Sequence, residues 1–117
     1  MNRDESRNEL GVVKMHRNVV SSISSIAALE IEGVKRIGGN LKSNLLELLG
    51  QKPSVAIKVD ISKNEEVKVE IPLVIKYGYN IPETAARVQE NVRLALERMS
   101  NFSVKDVNVN VKGIERG

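Results

Sequence analysis

The chain has 117 residues, 18 Lys and Arg against 15 Asp and Glu for a formal net charge of +3, one His and no Cys. That length holds one domain with one core, and the interspersed charges permit contact with an anionic surface without demanding it. The lack of Cys excludes disulfides, thiol nucleophiles and thiolate metal sites, and a single His excludes a multi-histidine metal site within one chain. Tyr77, Tyr79 and Phe102 are the only aromatic residues. The core is therefore expected to be aliphatic, and a single-stranded nucleic-acid platform, where bases stack on exposed rings, is disfavoured.

Residues 1–9 are charged and polar and read as a flexible lead-in, without the apolar run of a signal peptide. No window reaches the apolar length needed to cross a bilayer, so the default compartment is the cytoplasm. Leu10 to Met15 reads as a short strand at a sheet edge. Asn18 to Ile31 reads as the first helix, capped by Asn18, with Val19, Ile23, Ile26, Ala27 and Glu30 on one helical period and Val20 and Ala28 beside them. Ser21, Ser22, Ser24 and Ser25 form a small opposite face that is either solvent surface or a place where another backbone comes close. Gly33 ends the element where positive φ is usually required.

Val34 to Ile37 is a brief strand stopped by Gly38-Gly39. Leu41, Leu45, Leu46, Leu48 and Leu49 pattern a short helix between Asn40 and Gly50, which at about two turns must dock on something to persist. From Ser54 the period becomes two, with Val55, Ile57, Val59 and Ile61 on the buried side. Ser62 to Glu66 reads as a hairpin loop. The next strand puts Val67, Val69, Ile71, Leu73, Ile75 and Tyr77 on the core face. Pro72 cannot donate to a ladder, which places a bulge or an unpaired edge midway along it. Val74 interrupts the polar face. Gly78-Tyr79-Asn80 turns the chain, and Asn80 with Glu83 has capping-box spacing, with Pro82 tolerated in the first turn. The second helix is expected to bury Ala85, Val88, Val92, Leu96 and Met99. Val104, Val107, Val109 and Val111 form the last strand, alternating strictly from Val107 with Asn108, Asn110 and Lys112 outward.

The order predicts an α+β two-layer sandwich: a mixed, mainly antiparallel sheet, two main helices on one face, and a short extra helix. Residues 10–113 form the single domain and 114–117 a short tail. The passage from Tyr77 through the long helix to Val104 is compatible with a crossover between parallel neighbours, right-handed if so.

No catalytic set emerges. His16 has no carboxylate or nucleophile fixed to it by spacing. Glu30 and Glu32 are two apart at a helix end and point apart, and Glu65-Glu66 lies in a loop, so neither pair is poised across a substrate. The glycines at 33, 38 and 39 lack the strand, loop and Lys-Ser or Lys-Thr order of a phosphate cradle. Lys35, Arg36 and Lys42 around Gly38-Gly39 faintly resemble an RNA-binding glycine loop, which defines an alternative reading as a small RNA-binding domain. What remains is surface. Pro72, Val74, Tyr77, Tyr79, Asn108, Val109 and Asn110 mark the candidate interface; its alternative is a set of ordinary strand edges on which nothing docks.

Four segments carry a resemblance: Glu30-Ile31-Glu32-Gly33-Val34, Ile75-Lys76-Tyr77-Gly78-Tyr79-Asn80-Ile81-Pro82, Val88-Gln89-Glu90-Asn91-Val92, and Val104 to Gly113 with its valine and asparagine alternation. Together they resemble the bacterial alkaline shock protein family, also called the Asp/Gls envelope stress response family, from about Leu10 to Gly113. The resemblance implies a non-enzymatic bacterial protein tied to alkaline or general envelope stress, without cofactor or metal. It also implies that, as in some members, the chain self-associates and is held at the inner face of the cell membrane through a separate membrane-anchored partner. The function expected on this basis is a self-associating scaffold or adaptor, and no catalytic residue carries across.

Overall fold

The computed structural model describes residues 3–39 and 56–116. In chain order these form helix α1 (Arg3–Leu29), strands β1 (Val34–Ile37), β2 (Lys58–Ile61) and β3 (Glu66–Lys76), helix α2 (Ile81–Met99) and strand β4 (Ser103–Glu115). The stretches from Ser54 to Val55 and from Leu41 to Leu49, read from the sequence as the start of a strand and as a short helix, lie outside the described residues.

Strand β3 is the centre of the sheet. One of its edges pairs with β4 in parallel along its whole length, from Glu66↔Ser103 to Lys76↔Glu115. The other edge is shared end to end by two short antiparallel strands: β2 covers Val67 to Glu70 and β1 covers Leu73 to Ile75. Helix α2 is thus the crossover between parallel neighbours, and both helices pack on the sheet to give the expected α+β two-layer arrangement.

Pro72 falls between the two short strands. The pairing of β1 ends at Ile37↔Leu73 and that of β2 begins at Lys58↔Glu70, so no ladder partner needs the N–H that proline lacks. The Pro72 carbonyl is used instead, accepting from the Gly38 N–H at 2.8 Å. Only on this edge is Pro72 without a strand partner; on the other it stays in register with Asn110 of β4.

The core follows the period-two pattern of β3. Val67, Val69, Ile71, Leu73 and Ile75 are all fully or nearly fully buried, joined by Val34, Ile37, Ile57, Val88, Val92, Leu96 and Val107. Burial of each large aliphatic side chain contributes on the order of 1.5–3 kcal/mol. Two irregularities adjust β4 to this face. The register steps from Val67↔Val104 to Lys68↔Asp106, leaving Lys105 as an extra residue, and again from Leu73↔Val111 to Val74↔Gly113, leaving Lys112. Each bulge resets the phase by one. Val104 and Val107, three apart, therefore both face the core, which explains why the alternation becomes strict only from Val107.

Five expectations are corrected. Leu10 to Met15 is not a strand: α1 runs unbroken from Arg3, through the lead-in, to Leu29. Val13, Val20 and Ala27 recur every seven residues, a helical spacing that the adjacent Val12-Val13 pair disguises, and Gly11 is tolerated inside the helix. Asn18 consequently lies in the middle of α1 and caps nothing. The buried face of α1 is also rotated from the expected one: Val20, Ser24, Ser25, Ala27 and Ala28 are buried, while Val19 is 44 % and Ile26 63 % exposed. At the far end of α2, Met99 is 70 % exposed and not part of the core, and Tyr77 is exposed beyond the end of β3.

Candidate functional site

Two of the motif segments, Glu30 to Val34 and Ile75 to Pro82, meet at one end of the domain. Helix α2 starts as its sequence demands: the Asn80 side chain accepts from the Glu83 N–H at 2.9 Å and Pro82 occupies the first turn. Glu83 completes no reciprocal box, since its carboxylate takes Arg87 Nη2 at 2.6 Å. The turn before it is held from two sides, by the Lys76 N–H on the Gly33 carbonyl and the Tyr77 N–H on the Glu115 carbonyl, both at 2.7 Å.

Gly33 and Tyr79 meet directly. Gly33 has φ +103°, and a Cβ placed there would lie 2.7 Å from Tyr79 Cδ1. Glycine is thus required both for its backbone angle and for the ring that lies against it. The Tyr79 hydroxyl donates to Glu32 Oε1 at 3.1 Å, and this carboxylate beside it raises the phenol's pKa. The Glu32-Gly33 pair and the Tyr-Gly-Tyr-Asn turn therefore form one joint between the end of α1 and the start of α2.

The amides of α2 tie the helix to both neighbours. Gln89 Nε2 donates to the Val107 carbonyl of β4 at 3.1 Å, and Asn91 Nδ2 donates to the Ala27 carbonyl of α1 at 2.7 Å, with Glu30 Oε2 also within 3.2 Å. The Ala27 carbonyl is one of the last in α1, which have no partner within the helix. Both side chains satisfy backbone groups, so their role is positional.

The model of the alkaline shock protein (Asp) family, described by its "cell envelope-related function", matches residues 5–116. The chain belongs to this family. It is the family that the four sequence segments resemble, and the relatives agree. The chain is 32 % identical over 113 residues to the uncharacterized protein YqhY of Bacillus subtilis (strain 168), covering 96 % of this chain and 83 % of that one. It is 24 % identical to YloU of the same organism, over 94 % and 93 % of the two chains. Similarity to a Streptococcus pyogenes protein named stress response regulator gls24 homolog reaches 26 % identity over 83 % of this chain, which spans 55 % of the longer relative. No solved structure matches the chain. Membership makes it a bacterial stress-response and envelope-related protein, and a non-enzymatic one.

The sequence-predicted interface is spread over two places. Asn108 and Asn110 lie on the outer face of β4, where Asn110 Nδ2 donates to Glu70 Oε1 at 2.8 Å across to β3. Pro72, half-buried, is directly opposite Asn110. Val109 is paired with Ile71 and packs toward the core, so it brings only backbone to that face. Tyr77 and Tyr79 are at the turn, with the Arg116 guanidinium 5.1 Å from the Tyr77 ring centre. Val74 is 0 % exposed. Its direct partner in β1 is Arg36, whose guanidinium reaches across β3 to make a two-toothed ion pair with Glu115 and also donates to the Gly39 carbonyl at 3.0 Å. That pair holds the Glu115 carboxyl below the usual carboxylate range.

Arg36 is thus engaged in joining β1 to β4, Lys35 is exposed, and Lys42 lies outside the described residues. His16 stacks edge-on against Phe102, with ring centres 5.0 Å apart. Among the described residues no group of three or more His, Asp and Glu side chains could hold a metal ion, and no helix is long and apolar enough to cross a membrane. Sequence reasoning missed Glu115, which belongs to β4 and not to a tail. It also missed a groove of about 760 Å³ between α1 and α2, lined by Val19, Ile23, Ile26, Leu94, Ala95 and Met99 among others. Rotating the α1 pattern by one position, so that Val20 and Ala27 face inward, would have exposed that stripe.

Proposed function

We propose that the chain is a scaffold or adaptor of the bacterial envelope stress response, acting through protein contacts and reaching the inner face of the membrane through an anchored partner. The observation that supports it is the outer side of β4. Among the described residues this 13-residue strand pairs only with β3, so its second edge is open, and its outward face carries Asn108 and Asn110 beside Pro72. Open edges accept an added strand, and the Lys105 and Lys112 bulges limit where one can be added. The exposed Tyr77 extends the same surface past the strand end.

Fractionation of native cells tests this. The wild-type chain is expected in the membrane fraction together with its partner, and Asn110→Arg and Tyr77→Ala are expected to shift it to the soluble fraction without changing its thermal midpoint by more than a few degrees. Unchanged distribution of both folded variants would remove this surface from the function, and a wild-type chain found only in the soluble fraction would remove the membrane partner.

A further inference from the structure

We infer that the groove between α1 and α2 is a binding site for a long-chain carboxylate, a single acyl chain of about 12–14 carbons with its anionic head at Arg98. The site lies in the helix layer and shares no residue with the sheet surface proposed above. Either can therefore fail alone.

The walls of the groove are apolar, with Val19, Ile23 and Ile26 from α1 facing Leu94, Ala95 and Met99 from α2. Val19, Ile26, Leu94 and Met99 are among the exposed large apolar side chains of the domain, and a contiguous patch of this kind marks an interaction site. Its dimensions select the occupant. The volume of about 760 Å³ lies within the range of small-molecule sites. It is spread between Asn18 and Glu30, roughly 18 Å along α1, which makes a trough roughly 7 Å across. A peptide helix, about 10–12 Å across with its side chains, is wider than that trough. One extended acyl chain fits, and at roughly 1.2 Å per bond about 12–14 carbons fill the length with room for the head group.

Charge fixes the head group and its direction. Asn91 of α2 reaches the Ala27 carbonyl and Glu30 of α1, and the chain enters α2 at Tyr79 against Gly33, so the two helices run antiparallel along the groove. One end therefore holds Asn18 and Arg98 and the other holds Glu30 and Asn91. Arg36, Arg87 and Arg93 are each paired with a glutamate, whereas among the described residues Arg98 is paired with none. Its guanidinium is free to bind a carboxylate through two parallel N–H···O bonds. At the opposite end the Glu30 carboxylate repels an anion. An acyl chain lying on Ile23, Ile26 and Leu94 is thus oriented, with its carboxylate at Arg98 and its methyl end short of Glu30. A flat anionic membrane surface would meet both ends at once, Glu30 included, and is disfavoured.

Calorimetric titration of the full-length chain with lauric acid, kept below its micellar concentration, tests the site. The wild type is expected to bind a single laurate per chain saturably. Octanoate, four carbons shorter, is expected to bind at least about tenfold more weakly, because each buried methylene lost costs a factor of about two to four. Ile26→Asp is expected to weaken laurate binding at least about tenfold by placing a charge in the path of the acyl chain. Arg98→Gln is expected to weaken it at least about fivefold by removing the partner of the head group. Circular dichroism and unchanged thermal midpoints confirm that both variants are folded. Asn110→Arg, which alters the sheet face, is expected to bind laurate as the wild type does. No saturable binding up to millimolar laurate overturns the inference, whether a second copy, a membrane or a partner protein takes the groove instead. So does equal affinity for octanoate, or a folded Ile26→Asp or Arg98→Gln variant that binds laurate normally.

Discussion

In β3 every second residue from Val67 to Ile75 is an aliphatic side chain sealed in the core, whereas in α1 the fully buried position between Val20 and Ala27 is Ser24, and Ile26 stands 63 % exposed. The same residue types are thus sorted by different rules. A strand held on both edges has only two faces, and a one-residue slip would turn its whole apolar set outward, so pattern and burial coincide. A helix can rotate about its axis, and α1 has turned its smallest residues inward. Ser24, Ala27 and Ala28 admit a close approach to the core, and the Ser24 hydroxyl is satisfied by the Val20 carbonyl of its own helix at 2.8 Å. The larger side chains are left for another surface. The lesson is that apolarity in α1 marks two faces, and size separates them.

The largest test of this contrast lies in β3. Leu73→Ala deletes a fully buried side chain at the centre of the sheet, and is expected to cost about 2–5 kcal/mol in denaturant unfolding. The matching test in α1 inverts chemical intuition. Ser24→Val makes a fully buried residue more apolar, yet it is expected to destabilise by about 1–3 kcal/mol because the larger side chain must fit where the helix approaches the core. Stabilisation by Ser24→Val would mean that the serine face is loosely packed and that the contrast with β3 is one of degree.

What could be read beforehand follows the same division. The hairpin, β3, the Asn80 cap and the burial of Val88, Val92 and Leu96 rest on local rules that act within a few residues, and all were legible. The continuous α1 was not, because Gly11 and the adjacent Val12-Val13 pair mimic a strand when read without the seven-residue spacing. The motif residues were recognisable as a resemblance, but their work was not. That Gly33 receives the Tyr79 ring, or that Gln89 and Asn91 cap carbonyls on two different elements, depends on contacts spanning tens of residues. Glu115 was hidden for a related reason: only the second bulge of β4, at Lys112, turns it to the face where Arg36 arrives.

Glu115 extends the comparison to the sheet's outer face, where it forms a charge pair with Arg36, the β1 partner of Val74. Its carboxyl is held below the ordinary range in the fold, chiefly by the hydrogen bond from Arg36, so the pair contributes stability at pH values above the unfolded carboxylate pKa. The contribution is lost as pH falls through the lower, folded pKa. Glu115→Gln is expected to unfold more readily than the wild type at pH 7, and the gap between the two urea midpoints is expected to close as pH drops below about 4. A gap that persists unchanged at pH 3 would show that Glu115 acts by packing and not through its charge.

The smallest expected effect is the most discriminating. Ile26→Ser removes a large aliphatic side chain from a helix, the same class of change that is severe in β3. Measured at a concentration where the chain is monomeric, it is expected to shift unfolding by no more than about 0.5 kcal/mol, because most of that side chain is already in water and little burial is lost. Serine's lower helix propensity accounts for a few tenths of that figure. A loss of 2 kcal/mol or more in the monomer would place Ile26 in the core after all, and would make the groove a part of the fold instead of a surface. Near-neutrality is the signature of an apolar residue that the fold leaves on its surface, and it would separate Ile26 from the sealed positions of β3.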